Sequence, residues 1–221
     1  MMLRGLLEPL VSWRTYDFFA RDLTVPVAPF VAAIPLEMRV AVDADFLRFR
    51  PSFLREGVTG EEIERRRRAG DRCFLGVAGD RLVHFTWLFR RPAWLAELGA
   101  TLRLGPDEAY IAFSYTDPDR RGQGVQPAVT NFMIRWEQAV GIRRHYYFVM
   151  RHNVPARKIT TGHHAGAAAE PIRTVRTVRF AWVRSFLAYG FEPGGRPRLE
   201  PAPALDLGPM GLWVRAHMEG R

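Results

Sequence analysis

Apolar and polar residues alternate over Leu36-Glu37-Met38-Arg39-Val40-Ala41-Val42, which predicts a strand with Leu36, Met38, Val40 and Val42 on its core side. Arg72 to Val77 and Arg81 to Phe89 predict two more strands. Ala78-Gly79-Asp80 between them suits a hairpin turn, and Val83, Phe85, Trp87 and Phe89 alternate with His84, Thr86 and Leu88. Tyr110 to Tyr115 and Tyr146 to Met150 are apolar enough for buried strands, and Ile172 to Trp182 reads as another. Phe186 to Phe191 fits either a paired strand or a short helix. Helical spacing appears at Val129, Phe132, Met133, Trp136 and Val140, with Gly141 as the stop. Asp43 or Asp45 caps a helix through Phe46, Leu47 and Phe49, and Thr59-Gly60-Glu61-Glu62 is a capping box for a helix ending near Ala69.

Residues 1–30 read as an N-terminal helical extension anchored by Trp13, Tyr16, Phe18 and Phe19. Residues 93–107 read as a mobile or partly helical connection around Trp94, Leu95 and Leu98. Residues 160–170 read as a flexible loop, and residues 195–221, rich in Pro and Gly and ending in Leu212-Trp213-Val214, as an irregular tail. These elements predict one α+β domain over 1–221, its central mixed but mostly antiparallel sheet of about six or seven strands flanked by helices.

The stretch that carries chemistry is Tyr110 to Gly141. Its strand ends at Asp117-Pro118, because proline breaks regular pairing. Gly122 and Gly124 follow; both can take positive φ and let main-chain N–H groups crowd toward one anion. The helix from Val125 points its N-terminus at the same spot, and Pro127 falls in its first turn, where a missing N–H costs little. A dinucleotide fingerprint would put its third glycine at Pro127 and an acid about 20 residues on, where Arg144 and His145 stand. A P-loop needs Gly-Lys-Ser/Thr, and the one lysine is Lys158.

What remains, Arg121-Gly122-Gln123-Gly124-Val125-Gln126, resembles the pyrophosphate loop of the GNAT superfamily, the acyl-CoA-dependent N-acyltransferases. Asn153-Val154-Pro155-Ala156, after the strand at Tyr146, resembles the Asn-x-x-Ala/Ser segment that opens the next helix of that family. The resemblance implies a GNAT-like fold and acetyl-CoA, or another acyl-CoA, as co-substrate. It implies that Arg121, Gly122, Gln123, Gly124, Val125 and Gln126 hold the pyrophosphate, that Ser114, Tyr115 and Thr116 line the pantetheine arm, and that Asn153 contacts it. Two positions depart from the family pattern. Gln126 replaces a glycine or alanine, and Thr160 stands where a general-acid tyrosine is common. Glu108 and Tyr110 are the candidates for proton transfer, as the carboxylate and phenol nearest the expected thioester. Gly124→Glu is expected to remove CoA binding and leave the fold largely intact.

Composition narrows the alternatives. Hydrophobic residues make up 48% of 221, enough for a large core, and no apolar run reaches the roughly 18 residues of a membrane span. With no convincing signal peptide, a cytoplasmic protein is expected. Cys73 cannot form an internal disulfide, and the adjacent His163 and His164 are poorly placed for joint metal ligation, so no metal is expected. The net charge of +9 comes almost wholly from arginine. The run Arg65 to Arg68 follows Glu61, Glu62 and Glu64 at helical pairing distances, which points to a salt-bridged helix face. The leading expectation is acetyl transfer to a primary amine on a small molecule or peptide, with a homodimer left open. The competing readings are a CoA-binding protein without turnover and a basic nucleic-acid-binding domain using Tyr146, Tyr147 and Phe148.

Overall fold

The computed structural model describes residues 11–95, 98, 100–162, 168–180, 183–188 and 198–201. Strand β1, Val11–Asp22, replaces the expected N-terminal helical extension over its described part. It sits inside the main sheet, antiparallel to both β8 (Arg144–Met150) and β9 (Glu170–Phe180). Tyr16 to Phe19 are all buried, so the strand lacks the alternation that marks one solvated face. Its aromatic residues, which suggested anchors for a helix, favour a strand once both faces are covered.

The rest of the sheet follows the expected order. β2 (Glu37–Val40), β3 (Arg72–Ala78), β4 (Arg81–Phe89) and β7 (Glu108–Thr116) form an antiparallel series, β7 runs parallel to β8, and β10 (Val183–Ala188) pairs with β9. The eight-stranded order is β10-β9-β1-β8-β7-β4-β3-β2. The expected connection at 93–107 contains β5 (Ala93–Leu95) and β6 (Ala100–Arg103) instead. With β11 (Arg198–Pro201), taken from the expected irregular tail, they make a three-stranded sheet. The other tail residues, including Leu212 to Val214, lie outside the described residues, as do residues 1–10, 163–167 with His163 and His164, 181–182 and 189–197.

Three apolar clusters hold the layers together. Helices α1 (Asp43–Arg48), α2 (Arg50–Arg55) and α3 (Gly60–Arg68) cover β3 and β4 through Phe46, Phe53 and Ile63 against Leu75, Phe85 and Trp87. Leu95, Leu98 and Leu102 of the small-sheet region pack on Tyr16, Phe18, Tyr110 and Tyr146. Helix α4 (Val125–Ala139) packs Val129, Met133 and Ile134 against Phe74, Leu88 and Ile111. The Thr59 cap is present, its Oγ1 accepting the Glu62 amide at 3.2 Å. Arg65, Arg67 and Arg68 pair with Glu62 or Glu64, as their spacing predicts. Among the described residues no helix is long and apolar enough to cross a membrane.

Candidate functional site

Two neighbouring strands part at one end of the main sheet. The parallel β7–β8 pairing runs only from Glu108↔Arg144 to Ile111↔Tyr147. Beyond it β8 stays with β1 as far as Met150↔Tyr16, while β7 stays with β4. The cause is local to β7. Its residues Ala112 and Tyr115 pair with Trp87 and Phe85, so one extra residue stands in β7, which makes a bulge and bends the strand. Phe113 takes φ 54°, the one non-glycine positive φ among the described residues, a conformation that costs about 1–3 kcal/mol. The facing edges of Ala112 to Thr116 and Phe148 to Met150 therefore carry main-chain groups without a strand partner between them.

The turn that follows lies at the same parted end of β7. Asp117 is buried; its carboxylate accepts the Asp119 amide at 3.2 Å and Arg81 Nη2 at 2.9 Å, which fixes the start of the loop. Gly122 and Gly124 have φ of 76° and 74°, as the turn requires. Gly124 is the N-cap of α4 and offers no side chain to its first amides. Among the described residues the main-chain N–H groups from Gly122 to Gln126 meet no acceptor. They lie at the positive end of a 15-residue helix with no acid in its first turn, an arrangement that favours a bound phosphate.

A strap over α4, residues 23–36, braces the turn. The Ala33 amide donates to the Gln123 carbonyl at 2.9 Å. Asn131 accepts the Phe30 amide through Oδ1 and donates through Nδ2 to the Ala28 carbonyl, and Gln138 Nε2 donates to the carbonyls of Leu23 and Val25. Asn131 and Gln138, seven residues apart on one helix, were the available sequence signal for this strap. A Cβ on Gly124 would lie 3.3 Å from Phe30 Cε1 and 3.5 Å from Ala32 Cα. Gly124→Glu would thus press on the strap as well as on the turn.

The other expected site residues separate into two groups. Ser114, Tyr115 and Thr116 lie on the parted segment of β7. Ser114 Oγ shares a 2.6 Å hydrogen bond with Thr86 Oγ1, and Thr116 Oγ1 one of 2.8 Å with His84 Nδ1, which ties both side chains to β4. Tyr115 rests against Phe85. Arg121 Nε donates to the Thr116 carbonyl at 3.2 Å, which ties the loop to the strand end, and Gln126 is half-buried in the first turn of α4. Asn153 caps α5 (Val154–Thr161), accepting the Ala156 amide through Oδ1.

Glu108 and Tyr110 fall on the paired, closed half of β7. Glu108 is 3% exposed; its Oε1 accepts the Tyr146 hydroxyl at 2.8 Å and its Oε2 the Gly105 amide at 2.6 Å. Tyr110 is buried beside Phe89. The expected proton-transfer pair thus sits in the core on the paired half of β7, with the carboxylate engaged by Tyr146 and Gly105. His84 is fully buried and pushed down to about 3 by that burial, too weak a base to replace them. Thr160, at the position of the family's tyrosine, is buried, and its carbonyl accepts Arg21. Tyr146 lies in the core, with Tyr147 and Phe148 packed against core clusters, so these rings are unavailable as a stacking platform for bases.

No protein-family model matches the sequence, and no curated protein matches it. Solved structures do resemble it in fold. A GCN5-related N-acetyltransferase from Sphaerobacter thermophilus superposes with a TM-score of 0.54 at 14% identity, over 86% of this chain and 57% of its own. A GCN5-related N-acetyltransferase-like protein from Streptococcus suis gives 0.50 at 11%, over 81% and 66%. This chain therefore spans less than two thirds of the length of either. At such identities the likeness is one of architecture: the chain has the fold of these GCN5-related N-acetyltransferases.

Proposed function

We propose that this protein is an acyl-CoA-dependent N-acyltransferase, moving acetyl from acetyl-CoA to a primary amine of a small molecule or peptide. One observation carries the reading: the free amides of Gly122 to Gln126 and the unpaired edges of Ala112 to Thr116 and Phe148 to Met150 open at the same end of β7. A linear ligand with a pyrophosphate followed by an amide-bearing arm matches both parts. The turn would take the phosphates, and the strand edges would hydrogen-bond the arm. The thioester carbonyl would then lie near the bulge, where main-chain N–H groups stabilise the developing oxyanion. Attack of the neutral amine forms the C–N bond, breaks the C–S bond and releases the CoA thiolate. With Glu108 engaged in the core, the amine proton passes to water.

That engagement also favours a second reading, CoA binding without turnover. Two measurements decide. Acetyl-CoA at about 100 times its Kd should stabilise the protein by about 2.7 kcal/mol, a rise of several degrees in melting temperature. No rise would sink both readings. Thiol release from acetyl-CoA with lysine, spermidine, glucosamine and short peptides then separates transfer from binding alone.

A further inference from the structure

We propose that Arg66 is a positioning residue for this transfer: from α3 it clamps the Phe113 ring and thereby holds the bulge that parts β7 from β8. The proposal rests on the transferase reading above and adds a residue remote from the CoA turn. The Arg66 side chain is 2% exposed. Its Nε donates to Glu62 Oε1 at 2.6 Å, while Nη1 is buried with no hydrogen-bond acceptor among the described residues. A guanidinium keeps its charge, so burial on these terms needs another source of stabilisation. Aromatic faces supply it. The guanidinium carbon lies 3.8 Å from the Phe113 ring centroid, 4.9 Å from that of Trp87 and 5.5 Å from that of Phe89.

Trp87 and Phe89 are fixed in β4, so Phe113 is the member of the trio whose placement the stack decides. Phe113 is 54% exposed and its backbone strained, and among the described residues the one other aromatic ring beside it is Phe89, at 6.2 Å. The stack holds the ring against β4 and keeps the left-handed turn of the chain in place. The neighbouring main-chain groups are then aimed into the opening before substrate arrives.

The test uses the full chain. Hydrogen exchange without ligand is measured at the amides of Ala112 and Tyr115, which pair with Trp87 and Phe85 of β4, and of Arg120 and Arg121, which are bonded within the turn, in wild type, Arg66→Met, Phe113→Leu and the double variant. Each single change should speed exchange at the bulge about tenfold and leave the turn within twofold, and the double variant should stay within twofold of the faster single. Exchange at the bulge within twofold of wild type in both single variants, or effects that multiply, overturns the clamp. If Arg66→Met does not fold, Phe113→Leu carries the same comparison. With acetyl-CoA and the panel amine that releases thiol, kcat should fall about tenfold in Arg66→Met while the Kd for CoA stays within twofold. An unchanged kcat, or equal losses in kcat and CoA affinity, overturns the positioning role. Wild type that CoA fails to stabilise refutes the transferase reading instead, a result independent of the ligand-free exchange.

Discussion

Gly122 is the place to test the turn. A Cβ there meets nothing within 4 Å, and the residue is exposed, so a side chain fits without touching the strap that crowds Gly124. Its φ of 76° penalises most L-residues, but Asn and Asp tolerate the left-handed region and pay a similar cost. Comparing Gly122→Asp with Gly122→Asn therefore isolates charge from backbone strain. For a carboxylate about 6 Å from a bound pyrophosphate and an effective dielectric constant of about 40, each pair of unit charges repels by about 1.4 kcal/mol. Two phosphate charges give about 3 kcal/mol, or roughly 100-fold in Kd. Calorimetric titration with CoA at low salt should show that gap between the two variants, shrinking as salt screens it. Equal affinities, within twofold, would remove the phosphates from this turn and the transferase reading with them.

Glu108→Gln should destabilise the fold by about 0.5–1.5 kcal/mol, because one carboxylate oxygen becomes an NH2 and the Tyr146 hydroxyl must turn from donor to acceptor while the amide oxygen keeps the Gly105 N–H; turnover per folded molecule should persist, and a folded, CoA-binding but dead variant would restore Glu108 as the base. Asp71 is buried, which pushes its carboxyl up to about 6 against the pull of Arg91 and Arg66. Its native pKa lies above the unfolded one, so its contribution to stability is full below about 3.8 and is lost as pH rises through about 6, a ceiling of about 3 kcal/mol. Asp71→Asn should raise urea stability at pH 7.5 by about 1–2 kcal/mol and gain nothing below pH 4; a loss at pH 7.5 would show that the charged form is the stabilising one. A Cβ on Gly76 would sit 2.8 Å from Val129 Cγ2, so Gly76→Ala should cost about 1–3 kcal/mol. Adding Val129→Ala should return part of that cost, and strict additivity would show that α4 does not press on β3 there.

The features legible in the sequence are those whose cause is local. The β3–β4 hairpin, the Thr59 cap, the Glu62 and Glu64 pairings and the α4 stripe follow from period, turn chemistry and helical spacing. The turn at Gly122 and Gly124 is local too, because two positive φ values just before a helix call for glycine. β1 had no such signature. Buried on both faces, it lacks alternation, and its partners lie more than a hundred residues downstream. The strands at 93–103 likewise needed β11 to complete their sheet. The bulge is the clearest case of tertiary control. Phenylalanine does not favour φ 54°; register against β4, and the packing of Phe113 on Arg66 and Phe89, hold it there. Sequence alone determined a glycine turn leading into a helix at the end of a strand. Only the tertiary structure decided that this strand would part from its neighbour beside the turn and that Glu108 would be shut away behind it, because both depend on contacts between segments far apart in the chain.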